Sequence, residues 1–150
     1  MIAALQTDDL GYVILLVIHL VLVVFAFGMA FALPFYTRRF GPDAAALADR
    51  LNRSQVLPAM LLAGLVGILM VLLGPWEFSD GWISVAFVLW FAALGNGLLL
   101  LGPAARRLAG AAAGDANVGV LRKRVAMFTG IGHLLFLALV IVMVWGPRNP

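Results

Sequence analysis

The sequence predicts an all-α membrane protein, with four transmembrane helices in an up-down bundle and both termini on the outer side. Three observations lead there. Hydrophobic residues fill 64% of the 150 positions and charged residues only 11%, well outside the composition of water-soluble domains. Four apolar stretches reach the roughly 20 residues that a hydrocarbon core of about 30 Å requires. Of the 10 Lys and Arg residues none lies within those stretches, and all but Arg148 in the tail lie between them. A single domain of this length buries its inward helix faces and leaves the outer surface to lipid.

The expected spans are residues 11–33, 55–74, 82–102 and 125–145, separated by loops 35–54, 75–81 and 103–124. In front of the first span stand Asp8 and Asp9 rather than basic residues. The span is therefore expected to be retained and not cleaved as a signal peptide. Pro34, Gly74-Pro75, Gly102-Pro103 and Gly146-Pro147 stand where each helix should stop, as breakers do beyond a C-terminus. In the first long loop, Ala44, Leu47, Ala48 and Leu51 follow helical spacing after Gly41-Pro42-Asp43. That pattern predicts a short helix lying on the inner membrane surface.

Orientation follows from the positive residues, which resist translocation. Loop 35–54 carries Arg38, Arg39, Arg50 and Arg53, and loop 103–124 carries Arg106, Arg107, Arg122, Lys123 and Arg124. The segment before the first span and loop 75–81 carry none. Both long loops are thus cytoplasmic, and Arg38, Arg39, Arg106 and Arg107 are the candidates for holding anionic lipid headgroups. The isoelectric point near 10.2 reflects these loops, and no nucleic-acid partner is implied. Tyr12, Trp76, Trp82 and Trp145 form an aromatic belt on the outer side. Weak similarities between the two halves fit either an internal duplication or the shared punctuation of two outside-starting hairpins.

The spans contain no Asp, Glu, Lys or Arg, which argues against an active transporter. The absence of Cys removes disulfides, thiolate metal sites and cysteine nucleophiles. The strongly polar residues within the spans are His19, Asn96 and His133, about 12, 21 and 18 Å below the outer boundary at 1.5 Å per residue, with Trp90, Ser84 and Thr129 as weaker cases. Two imidazoles on facing helices can clamp the iron of a b-type haem. Alternatively each histidine is a hydrogen-bonding residue between helices, with His133 paired to Asn96; this reading leads. Val23, Ala26, Leu137 and Val140 would then fill the bundle between helices 1 and 4. No third imidazole or carboxylate accompanies the pair, so a metal site is not expected. Trp90 stands six residues before Asn96, about 120° round the helix, and belongs at a helix interface or toward lipid if Asn96 faces inward. Ala59, Ala63 and Gly67, Ala93 and Gly97, and Ala126 and Gly130 recur at four-residue spacing, which permits close helix approach.

The run HLVLVVFAFGMAF, the third span opening SDGWISVAFVLW and running to Gly-Pro-Ala-Ala-Arg-Arg, and the closing LVIVMVWGP carry a resemblance. Over almost the whole chain they resemble the bacterial four-helix integral membrane proteins grouped as domain of unknown function 2269. That family implies the fold and no particular activity. The copper-resistance D type membrane domain is similar in its first-helix histidine. The membrane-bound protoporphyrinogen oxidases are similar through His19, Leu33, Pro34 and Arg38, although their third-helix lysine has no counterpart in this sequence. The sequence therefore implies a multi-pass protein of the bacterial inner membrane. The leading expectation is a non-catalytic accessory or interaction protein that partners the lipid bilayer, another membrane protein or itself, with no cofactor. The alternative is a haem b or tetrapyrrole protein using His19 and His133.

Overall fold

The computed structural model describes residues 6–40, 42–111 and 116–146, with backbone alone for 33–40, 42 and 43. Among the described residues there are helices and turns and no strand. Four helices are long and apolar enough to cross a membrane. The first is α1 (Leu10–Phe40). The second starts as α2 (Pro42–Leu51), passes through a π-turn (Asn52–Val56) and continues as α3 (Leu57–Leu73). The third is α4 (Gly81–Gly95), a second π-turn (Asn96–Leu101) and α5 (Gly102–Ala109). The fourth is α6 (Val118–Trp145). Together they form an up-down four-helix bundle. One end carries Tyr12, Trp76 and Trp82, the other the cluster of arginines, and the two are named here the tryptophan end and the arginine end.

The helices run further than expected, and the segments 35–54 and 103–124 are largely helical where they are described. Pro34 does not end α1, which continues to Phe40 and reaches 31 residues, about 46 Å at 1.5 Å per residue. A proline offers no N–H to the carbonyl four residues earlier, which in α1 belongs to Ala30. His133 on α6 lies 3.2 Å from that carbonyl through Nε2 and supplies the missing donor, which is how membrane helices tolerate proline. Gly102-Pro103 also fails to stop its helix. Both Pro58 and Pro103 follow the end of a π-turn by two residues, and the wider turn relieves the clash of the proline ring with the preceding turn. Gly74 does stop α3, turning to an extended conformation with ψ −172°, and α6 ends at Trp145 before Gly146.

The helix expected on the inner surface exists as α2 but is continuous with the second span. Its Ala44, Ala45 and Ala48 are buried, and it packs on α5. Only Leu47 of the expected apolar face is exposed, at 47%. At the arginine end Ala45, Ala104, Ala105, Leu108 and Val125 form a compact core. A central layer of Ala26, Val56, Leu57, Ala59, Met60, Ala93, Leu94 and Phe136 follows. Toward the tryptophan end the close pairs are α1 with α3 and α4 with α6, and the two pairs touch each other only sparsely. The bundle is therefore tight at one end and parted at the other.

Candidate functional site: two chambers along the bundle axis

Where the helix pairs part, they enclose a cavity of about 290 Å³. Leu16, Val23, Met70, Ile83, Phe87 and Leu139 are among its apolar walls, and His19, Tyr12 and three tryptophans supply its polar groups. Val23, Ala26 and Val140 line this cavity rather than fill the bundle, and Leu137 is 52% exposed on the outer face. The filled interior expected between the first and last helices is thus corrected to an open chamber. The sparse contact of the pairs explains it, because only a few large side chains, Trp90 and the Phe27–Phe136 pair among them, bridge the two.

Aromatic rings close the chamber at its outer end. The Trp76 indole N–H donates to the Tyr12 hydroxyl at 2.8 Å. Trp76 and Trp82 meet edge to face with centroids 5.3 Å apart. Tyr12 lies against Gly74 and Trp82 against Gly146, each so close that a Cβ on the glycine would collide with the ring. The four residues tie α1, the 74–80 turn, α4 and the end of α6 together. Trp82 Nε1 is buried there without a hydrogen-bond partner in the protein.

His19 and Trp90 form the inner wall. His19 Nδ1 lies 2.9 Å from the Ala63 carbonyl; a carbonyl only accepts, so Nδ1 carries the hydrogen and Nε2 keeps the lone pair. The ring sits beside Gly67, whose missing side chain leaves it space. Trp90 donates to the Met60 carbonyl at 2.9 Å and occupies the place a Gly64 side chain would take. Trp90 stands at the α3–α4 interface, as the helical geometry predicts. The small residues of α3 thus receive aromatic rings rather than a neighbouring backbone. On α6, Ala126 is exposed and Gly130 faces open space.

Met60 and Phe136 line both this chamber and a second one nearer the arginine end, of about 50 Å³. Asp49, Asn52, Asn96, Thr129 and His133 line the second chamber. His133 therefore faces a different volume from His19. Its ring stacks on Phe31 with centroids 4.0 Å apart and planes 12° from parallel. Asn96 points inward, 6% exposed, but its amide donates to the Phe128 carbonyl at 2.9 Å and not to His133. The expected Asn96–His133 pair is replaced by two bonds to backbone. Pro34 and the packing of α6 on the second π-turn leave each side chain nearer a carbonyl than its expected mate.

Asp49 is the residue that the sequence reading passed over. It is buried at 8% exposure and paired with Arg53 through Nε and Nη2 of that guanidinium and with Arg106 at 3.5 Å. Ala45, Asp49, Asn52 and Val56 recur every three or four residues and are all buried, so helical spacing continued through the supposed loop would have found it. Of the headgroup candidates, Arg106 is engaged by Asp49 and is half exposed, and Arg107 is exposed. The side chains of Arg38 and Arg39 lie outside the described residues. Among the described residues no group of three His, Cys, Asp or Glu could hold a metal ion. No family model, no curated protein and no solved structure matches the chain.

Proposed function

We propose that this is a non-catalytic accessory protein of the bacterial inner membrane that holds a membrane amphiphile in the tryptophan-end chamber. The acyl chain lies among the apolar walls, and a carbonyl or carboxyl oxygen accepts from Trp82. The observation that carries this reading is the apolar cavity of about 290 Å³ with Trp82 in its wall, a residue whose indole N–H is buried and unpartnered. A buried donor without an acceptor costs about 1–3 kcal/mol, and an acyl chain with an oxygen at one end satisfies both features of the chamber. The size is close to the lower end of small-ligand pockets, about 300 Å³. In this proposal the arginine end faces the cytoplasm and holds anionic headgroups, as the distribution of positive charge favours. The protein it serves is another membrane protein or a second copy. The likeness to the bacterial four-helix family of unknown function belongs to the same proposal.

Binding is tested with delipidated protein carrying Trp145→Phe, titrated with a fatty acid brominated along its chain. Saturable quenching of tryptophan fluorescence is expected, and Ala86→Phe, which fills the cavity wall, abolishes it. Quenching that rises linearly and equally in both proteins contradicts the reading. For orientation, a cysteine at Glu77 is expected to react with an impermeant reagent in intact cells, and one at Asp115, outside the described residues, only after lysis.

One observation favours tetrapyrrole binding as a second reading, in a modified form. His19 donates Nδ1–H to a backbone carbonyl, the arrangement that metal-ligating histidines use to present their other nitrogen. Because His133 lines the other chamber, the ligand set would be His19 alone. A Soret band on haem addition that is lost in His19→Ala and kept in His133→Ala supports this second reading. Identical spectra for both variants and the parent remove it.

A further inference from the structure

Asp49, Asn52, Asn96, Thr129 and His133 are the polar side chains among the largely apolar lining of the arginine-end chamber, and several of their hydrogen-bond donors are engaged. Asn96 Nδ2 donates to Phe128 O at 2.9 Å, Asn52 Nδ2 to Gly97 O at 3.4 Å, and Thr129 Oγ1 to Val125 O at 2.8 Å. His133 Nε2 donates to Ala30 O, so its Nδ1 keeps a lone pair. Each carboxamide nitrogen still carries a second N–H, and the oxygens and the His133 ring retain accepting capacity. Asn96 Oδ1 is buried with no partner in the protein, and Asp49 adds a carboxylate at the mouth, its side chain 11% exposed. A chamber that keeps both N–H donors and acceptors takes a guest that donates and accepts.

Charge decides which guest. Asp49 is answered by two guanidinium groups, those of Arg53 and Arg106, and Arg50 and Arg107 are exposed on the same helices. The mouth is net positive, which repels cations and favours a neutral guest. The volume of about 50 Å³ holds about three waters, at roughly 15 Å³ of accessible space each. Asp49, Asn52, Asn96, Thr129 and His133 are the polar partners available to such water, the other condition for its burial.

We propose that this chamber is a hydration site, binding a small cluster of neutral waters that enters at Asp49 and extends to Met60 and Phe136. Water then reaches the middle of the bundle from the arginine end and stops at that pair, with the apolar chamber beyond it dry. The proposal stands independently of what occupies the tryptophan-end chamber.

The chain contains two histidines, His19 and His133, one in each chamber, and so carries its own control. Protein isotope-labelled at histidine is placed in proteoliposomes, and magnetisation transfer from water to each ring is followed by solid-state NMR, with His19→Gln assigning the signals. His133 is expected to gain magnetisation several-fold faster than His19, and equally slow transfer to both overturns the proposal. Replacing sodium chloride by ammonium chloride is expected to leave the His133 rate unchanged. A saturable loss of water transfer with ammonium means that the chamber takes a cation, which overturns the neutral assignment. Asn96→Leu, with helix content checked by circular dichroism, is expected to slow transfer to His133. An unchanged rate overturns the place of Asn96 Oδ1 as anchor of the cluster, and Thr129→Val repeats the test if that variant does not fold.

Discussion

In the arginine half, Ala44, Ala45, Ala48, Ala104 and Ala105 bring α2 and α5 into contact and disappear from the surface. In the tryptophan half, Ala63, Gly64 and Gly67 stand at the same spacing, yet they border a chamber and make room for Trp90 and His19. The difference lies in what each stripe faces. Small residues opposite small residues close a helix pair, whereas at Gly64 the Trp90 ring stands between α3 and α4, which touch only sparsely. The polar groups divide in the same way. Those in the arginine half converge with Asp49, and those in the tryptophan half are single groups in apolar walls.

The sharpest way to break this comparison is to make the same change in both halves. Ala45 is 0% exposed and Ala86 is 3% exposed, so burial alone predicts equal damage from leucine. Ala45→Leu forces apart α2 and α5 and should cost about 1–3 kcal/mol, the usual penalty of overpacking. Ala86→Leu projects into the cavity and should be neutral or stabilising. Thermal unfolding in detergent distinguishes them, and equal losses would mean that the two halves pack alike.

A smaller effect concerns the link between α1 and α6. His133→Leu leaves the Ala30 carbonyl without a donor, at a cost of about 1 kcal/mol, within the range measured for polar contacts between membrane helices. Pro34→Ala restores a backbone N–H to that carbonyl. In a double-mutant cycle His133→Leu is therefore expected to be nearly silent in the Pro34→Ala background. Additive losses would show that His133 stabilises the bundle by other means. Smallest of all, Trp90→Phe loses the bond to Met60 and keeps the ring against Gly64. It should cost about 0.6 kcal/mol, the mean for such bonds, whereas Gly64→Val, which expels the ring, should cost more.

These effects show where the sequence was informative. The four spans were legible because length and hydropathy alone demand them. The ends of the first and third were not, because whether a proline stops a membrane helix depends on a donor elsewhere. For Pro34 that donor is His133, 99 positions further along the chain. The two half-buried histidines and buried Asn96 were legible as polar residues at depth, but not as residents of separate chambers. Their partners are backbone carbonyls, which every residue offers and no residue type marks. Asp49 was missed because a charged residue beside arginines reads as loop, although its helical register with Ala45, Asn52 and Val56 continues the buried face of α3.

The parted bundle is tested most directly by diffraction from crystals pressurised with xenon, which enters dry apolar cavities. Xenon is predicted between Ala63, Ala86 and Val140 in the tryptophan half and at no place between α2 and α5. Xenon absent from that chamber, with Val23 and Val140 in contact across it, would contradict the account.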